Sequence, residues 1–223
     1  MELYFSPLAC SMATRIAFYE AGYEATYIQV DTKRKQLENG SDFFSLNPMG
    51  QVPVLRTDEG ELLTENTAIL PYVADRFPHA QLAPVGSLER ARLQQWLGFI
   101  STELHKALFV PLLDPNAGDE VKRYTREKVD IRLNLVAARF AAHEWLLDAF
   151  SVADAYLAVV LNWARYCDID IDRWPAIAAY FKRITARPAI ARAMSEEFAL
   201  YREQVEREKE RERERERADA TRA

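Results

Sequence analysis

Residues 47–66 read Asn-Pro-Met-Gly-Gln-Val-Pro-Val-Leu-Arg-Thr-Asp-Glu-Gly-Glu-Leu-Leu-Thr-Glu-Asn, and this stretch decides the fold. Residues 54–56 and 61–63 are short strands flanking Thr57-Asp58-Glu59-Gly60, a turn signal, so the segment closes a hairpin. Residues 64–77 then switch to helical spacing, with Ile69, Val73 and Phe77 in register. Toward the N-terminus, residues 2–5 read as a strand. Residues 11–21 follow as a helix with Ala13, Ile16, Ala17 and Ala21 on one face, stopped by Gly22. Residues 27–30 can form a second strand, 32–40 a polar loop, and 41–46 a short turn or helix. The order is βαβαββα, an α/β unit. Pro71 falls inside the last helix, where a missing donor and a ring clash predict a kink or a late start.

From residue 87 onward the strand signal disappears. Leu93, Trp96, Leu97, Ile100, Leu104 and Leu108 mark one long amphipathic helix, and residues 121–142 a second, with Tyr124, Ile131, Leu135 and Ala138 in phase. Ser151-Val152-Ala153-Asp154 is a capping box opening a helix that is apolar on nearly every side, which suits the centre of a bundle. Trp174-Pro175 starts a further helix with Ile177, Phe181 and Ile184 inward, and Arg187-Pro188 ends it. Pro78 and residues 84–86 form a linker. The expected division is residues 1–80, residues 87–200 as an all-helical domain, and a charged extension over 201–223. In that extension alternating Glu and Arg set opposite charges at i+3 and like charges at i+4, so the local terms offset. A solvated, at most partly helical tail is expected.

Composition narrows the function classes. The chain has 223 residues, 49% hydrophobic and 28% charged, with a formal net charge of −5, the mix of a globular protein able to bury a sizeable core. Residues 202–223 hold eight Lys or Arg and eight Asp or Glu, so the acidic balance belongs to the body. Neither part has the cationic surplus that nucleic-acid binding rests on. Cys10 and Cys167 form no Cys-x-x-Cys pair, and no histidine spacing suggests a metal, so a reducing cytoplasm and a metal-free protein are expected. Residues 155–161, the most apolar run, are too short to span a bilayer, and residues 1–5 lack a charged leader, so no membrane partner is expected.

Five places can carry chemistry. Cys10 lies between a strand and the first turn of a helix, where free N–H groups and the dipole favour a thiolate; the alternative is a buried structural cysteine. Val52-Pro53 stands at a loop-to-strand corner. A cis bond there turns the Val52 N–H and C=O outward to meet a peptide, and a trans turn is the alternative. Glu65-Asn66 opens a helix and suits an α-amino acid head group, the carboxylate facing an ammonium and the amides a carboxylate, unless the two simply cap the helix. Lys33, Arg34 and Lys35 form a basic loop that is either solvated or holds a second carboxylate. Gly98, Thr102 and His105, at i, i+4 and i+7, share one helical face that can look into a cleft.

Together these segments resemble the glutathione S-transferase family, most closely the bacterial beta class, up to about residue 200. The resemblance rests on Leu3-Tyr4-Phe5-Ser6-Pro7 through Ala9-Cys10-Ser11, Leu37-Glu38-Asn39-Gly40, and Asn47-Pro48 through Gly50-Gln51-Val52-Pro53. It continues in Leu63-Thr64-Glu65-Asn66, Thr102-Glu103-Leu104-His105-Lys106, and Phe150-Ser151-Val152-Ala153-Asp154-Ala155-Tyr156-Leu157. It implies a thioredoxin-like N-terminal domain, a helical C-terminal domain, a cytoplasmic homodimer, and glutathione as co-substrate. It further implies that Cys10, beside Ala9, faces the glutathione sulfur and His105 approaches it. Val52 before a cis Pro53, next to Gln51, pairs with the tripeptide backbone; Lys35 meets the glycyl carboxylate; Glu65 and Asn66 take the γ-glutamyl end. Thr102, Glu103 and Lys106 lie near the same cleft or the partner subunit. Gly98 and Asn66 depart from the usual Asn and Ser of the class, and the tail has no counterpart in it.

The activity this implies is attack of a glutathione thiolate on an apolar electrophile. Two alternatives stand beside it: a glutathione-dependent thiol-disulfide oxidoreductase or peroxidase acting through Cys10, and a non-enzymatic ligand binder or scaffold of the same fold.

Overall fold

The computed structural model describes residues 1–222, with side chains through residue 214 and at residue 217. Strand β1 (Glu2–Phe5) runs parallel to β2 (Thr26–Asp31) and antiparallel to β4 (Val54–Arg56), which pairs with β5 (Leu62–Thr64). A two-residue strand β3 (Gln36–Leu37) adds to the outer edge of β2, giving the order β3-β2-β1-β4-β5. Alternation along β1 supplies both faces of this thioredoxin-like sheet. Leu3 and Phe5 enter the main core with helices α1 (Met12–Glu20) and α2 (Asn66–Arg76), while Tyr4 meets Val30, Phe43 and Val54 on the other side.

Beyond the sheet the chain is helical: α3 (Ser87–Phe99), α4 (Val110–Leu113), α5 (Asp119–Arg126), α6 (Val129–Ala142), α7 (Val152–Asn162), α8 (Pro175–Thr185) and α9 (Pro188–Arg222). Every residue of α7 is buried, as its all-round apolar text requires. Its capping box forms: the Asp154 carboxylate accepts the N–H of Ser151 and of Leu146, both at 3.0 Å, and the Tyr180 hydroxyl at 3.2 Å. Burial pushes the Asp154 carboxyl up to about 6.

Several expectations change. The polar run 32–40 is not all loop, because Val30↔Leu37 and Asp31↔Gln36 pair as β3. Residues 121–142 are two helices, separated where Lys128 takes φ −105° and ψ 3°, outside the helical well. Their phase is also reversed: Val129, Leu133, Val136 and Phe140 face the core, while Tyr124, Ile131 and Leu135 are solvent-exposed. Helix α2 begins at Asn66 and runs through Pro71, so no late start occurs. Between α3 and α4, residues Ile100–Phe109 wind as a wider π-helix, and the Val110 N–H reaches back five residues to the His105 carbonyl. This winding shifts side chains out of the i, i+4, i+7 register.

The tail differs most. Helix α9 continues without a break from the helical domain to residue 222. Its start is anchored by the buried Ile190, Ala193 and Glu197, so the Glu-Arg segment propagates an existing helix and escapes the nucleation cost an isolated one faces. Past Val205 it docks on the sheet edge through polar contacts rather than an apolar stripe, with Glu208 bonded to Lys33 and Arg211 beside Asp31.

Candidate active site

The loop from Ser6 to Ser11 carries Cys10 across the top of the sheet, and three elements pin it. Leu8 takes φ +60°; its N–H donates to the buried Glu197 of α9 at 2.7 Å and its carbonyl accepts the Trp163 indole N–H at 2.9 Å. Asn66, buried at the head of α2, donates its side-chain amide to the Cys10 carbonyl at 2.9 Å and accepts the Thr14 hydroxyl at 3.3 Å. The Asn66 side chain is thereby committed to holding the cysteine loop, which leaves its backbone amide in the first turn of α2 to face a ligand. Ala9 closes the turn by donating its N–H to the Ser6 carbonyl at 3.1 Å.

Cys10, Gln51, Val52, Pro53, Glu65, Asn66, His105 and Lys106 line one cleft between the sheet domain and the helices, together with Asn47, Met49, Thr64 and Tyr156. The Val52-Pro53 bond is cis. The Cys10 thiol donates to the Val52 carbonyl at 3.3 Å, so the carbonyl half of that backbone edge is already engaged. Glu65 is exposed and takes φ +67°, ψ 123°, a region that non-glycine residues enter at a cost of about 1–3 kcal/mol. Its carbonyl nonetheless starts α2, accepting the N–H groups of Ala68 at 3.0 Å and Ile69 at 2.9 Å.

Electrostatics correct the expectation of a Cys10 thiolate. The helix start is present, but burial dominates and pushes the Cys10 thiol up to about 12, with Lys106 lowering it and Glu65 raising it by smaller amounts. His105 is buried as well, and that burial, aided by Lys106, brings it down to about 4. At neutral pH the cleft therefore holds a protonated thiol and an uncharged imidazole. His105 Nδ1 lies 2.7 Å from the Tyr156 hydroxyl, whose own ionisation burial makes harder. With the phenol proton in that bond, Nδ1 accepts and Nε2–H is left as the donor.

The remaining sequence-chosen residues lie at or beyond the rim. Lys106 Nζ bonds Gln51 Oε1 at 3.2 Å across the domain junction. Lys35, at φ +58°, donates Nζ to the Gly50 carbonyl at 2.8 Å, next to the Gln51 end of the cleft. Gly50 has φ +59°, and a Cβ there would strike Phe44 and the Lys35 stem, so glycine is required. Thr102 is exposed and its hydroxyl returns to the Gly98 carbonyl at 3.0 Å. Glu103 turns to α6, pairing with Arg132 at 2.8 Å. Neither is in the cleft lining: the π-winding turns Thr102 away from His105, and Glu103, two residues before His105, lies on the opposite side in any helix.

Tyr156 is the residue the sequence reading left without a role. The signal was present: a tyrosine in a helix apolar all round must satisfy its hydroxyl somewhere. Among the described residues no group of three or more His, Cys, Asp or Glu gathers as a metal site, and no helix is long and apolar enough to cross a membrane.

Comparison with known proteins identifies the family. Residues 9–76 match the family model of the glutathione S-transferase N-terminal domain and residues 101–188 that of the C-terminal domain. The chain belongs to the glutathione S-transferase family. It is 42% identical over 199 residues to glutathione S-transferase GstA of Escherichia coli O157:H7, covering 88% of this chain and 98% of that one. Among solved structures, a sphingomonad glutathione S-transferase complexed with glutathione superposes with a TM-score of 0.85 at 45% identity, covering 88% of this chain and 98% of the other. A bacterial beta class enzyme of Sphingomonas chungbukensis does so with a TM-score of 0.84 at 43% identity and the same coverage. The tail lies beyond both matched segments.

Proposed function

We propose that this chain conjugates glutathione to apolar electrophiles, with the tripeptide lying in the cleft lined by Cys10, Val52, Glu65 and His105. The convergence of those four residues at the domain junction carries the reading. Glu65 meets the γ-glutamyl ammonium, and the first-turn amides of α2 at Asn66 and Thr67 meet its carboxylate. Val52 pairs its backbone with the cysteinyl unit, and Lys35, with Gln51, takes the glycyl carboxylate. The sulfur settles beside Cys10 and His105.

In this arrangement neither Cys10 nor His105 is the base. An imidazole near 4 holds a proton too weakly to abstract one at neutral pH. The thiol proton therefore passes to solvent, and the thiolate is held by Cys10 S–H, by His105 Nε2–H and by the field of Lys106. The sulfur attacks the electrophilic carbon and the leaving group departs with its electron pair. Leu8, Tyr166, Met194 and Phe198 line a recess, with Asn162 and Arg165 beside them, that is separate from the cleft and adjoins the Cys10 loop at Leu8; that adjacency supports it as the wall for the second substrate. Disulfide exchange is disfavoured because a thiol near 12 is almost never ionised.

Two further readings belong to this proposal. Tyr124 on α5 and Ile131 and Leu135 on α6 are large apolar side chains left exposed, which supports a homodimer that covers them. Both cysteines are free, which fits a reducing cytoplasm. The test is calorimetric titration with glutathione together with turnover of a generic aryl halide. Saturable binding and glutathione-dependent product are expected; absence of both refutes the reading.

A further inference from the structure

We propose that the C-terminal extension is a strut that sets the glycyl-carboxylate end of the glutathione site, with Glu208 and Arg211 as positioning residues for Lys35. This rests on the assignment of Lys35 to that carboxylate.

The observations form one ladder. On β2, Gln29 and Asp31 are two residues apart and so point to the same side. On α9, Gln204, Glu208 and Arg211 are spaced i, i+4, i+7 and share a face. Gln29 Nε2 donates to Gln204 Oε1 at 3.2 Å, and Gln204 Nε2 donates to Glu208 Oε1 at 3.1 Å. Glu208 is thereby oriented so that its other oxygen accepts Lys33 Nζ at 2.6 Å. Arg211 lies 3.7 Å from Asp31 Oδ2. The final two contacts land on the turn that presents Lys35.

Asp31 is the hub of that turn. Its Oδ1 accepts the N–H of Lys33 at 3.1 Å and of Arg34 at 2.9 Å, and its carbonyl accepts the Lys35 N–H at 2.7 Å. These bonds hold Lys35 at φ +58°, a conformation non-glycine residues adopt only when their surroundings impose it. The strand that follows is only Gln36–Leu37, and beyond it the Lys35 carbonyl accepts the Phe43 N–H at 2.8 Å, so the loop is held on that side by its own backbone and on the other by α9. Charge supplies the rest: the extension is neutral overall, yet it places a carboxylate on Lys33 and a guanidinium on Asp31, each opposite in sign to its target. Lys33 thus has its charge met by α9, and Asp31 is shared between Arg211 and Arg34 of its own turn, at 3.7 and 3.8 Å, while Lys35 is left to turn toward Gly50 and the cleft rim.

The test compares two ligands that differ only in the glycyl group. Dissociation constants for glutathione and for γ-glutamylcysteine are measured by calorimetry on the full chain, on Glu208→Gln, Arg211→Gln and Lys35→Ala, and on Glu210→Gln as a charge-matched control elsewhere on α9. Glu208→Gln and Arg211→Gln are each expected to weaken glutathione by about two- to fivefold, the range of a single partly exposed ion pair. Affinity for γ-glutamylcysteine, and kcat with saturating glutathione, should hold, and Glu210→Gln should change neither ligand. Retained dipeptide affinity also certifies that each variant is folded. If Lys35→Ala separates the two ligands while Glu208→Gln and Arg211→Gln do not, the strut is overturned and the Lys35 assignment survives. If Lys35→Ala weakens both ligands equally, the assignment fails and the strut with it.

Discussion

Replacing Cys10 by alanine separates conjugation from thiol exchange, and the structure sets the size of each effect. With its thiol near 12, Cys10 at pH 7 is ionised in only about one molecule in 10⁵, five pH units below its midpoint. A path through a Cys10 thiolate is slowed by that scarcity, offset only in part by the greater nucleophilicity of a high-pKa thiolate. What Cys10 can give a conjugation reaction is one S–H hydrogen bond, of the kind it now gives the Val52 carbonyl at 3.3 Å. Such a bond contributes about 0.5–1.5 kcal/mol, so Cys10→Ala should lower kcat/KM for an aryl halide only about two- to tenfold. The assay is steady-state conjugation at fixed saturating electrophile, alongside intact mass after incubation with oxidised glutathione. Wild type should acquire no glutathione adduct at Cys10 over the time of many conjugation turnovers. A loss beyond about 100-fold in Cys10→Ala, or rapid adduct formation in wild type, would refute the reasoning.

Three further outcomes are expected. Glu197, fully buried with Leu8 and Arg15 as partners, is pushed up to about 8 mainly by burial; its folded value exceeds its unfolded one, so stability falls as pH rises through that window. His105, near 4, opposes this only below its unfolded value. Above the unfolded histidine value the urea-unfolding midpoint should therefore drop as pH rises, and Glu197→Gln should flatten that drop; a flat wild-type profile would contradict this. Glu65→Gly relieves φ +67° and should raise unfolding stability by about 1 kcal/mol while weakening glutathione at least tenfold, so a loss of stability would show that the backbone there is unstrained. Ile131→Lys, at a position 72% exposed in the single chain, should convert a dimer to monomer in sedimentation velocity, and an unchanged dimer would move the interface elsewhere.

What the sequence made legible were features with a local cause. The hairpin was readable because Gly60, at φ +89°, sits where a turn demands it, and its second strand is displaced by only one residue, to Leu62–Thr64. The Ser151-Asp154 box was readable because both partners lie within one turn. The rest needed information from far along the chain. Strand β3 is two residues long, too short for any alternation to register. Helix α6 carries two apolar arcs, one through Ile131 and Leu135, the other through Leu133, Val136 and Phe140; only packing against α8 and its neighbours decides which turns inward. No Gly or Pro marks the break near Lys128, and the wider winding over Ile100–Phe109 has only Gly98 and Pro111 at its flanks, which do not by themselves specify it, so Thr102 and His105 could be placed on one face by count and yet part company in space. The tail's docking depends on Gln29, Asp31 and Lys33, some 175 residues upstream of their partners, a pairing no local pattern encodes.

The same distinction governs the cleft. Position alone argued for an ionised Cys10, since a helix start stabilises negative charge by roughly 0.3–1 kcal/mol at ordinary sites. Burying an ion costs several times that, and Cys10 is only 9% exposed, so the dipole loses. A site that must stabilise a sulfur anion then cannot rely on its own thiolate or on a charged imidazole; it has neutral donors, Cys10 S–H and His105 N–H, and one flexible cation, Lys106, at the rim. Neutral donors in a dry site favour the anion of the ligand without adding a charge that must itself be desolvated. This is why the elements that hold Leu8, Asn66 and Tyr156 matter as much as the groups touching the sulfur. Glu197 and Trp163 fix the loop, Asn66 fixes the Cys10 backbone, and Tyr156 fixes the His105 tautomer. With weak donors, catalysis depends on orientation, and the buried hydrogen bonds behind the cleft supply it.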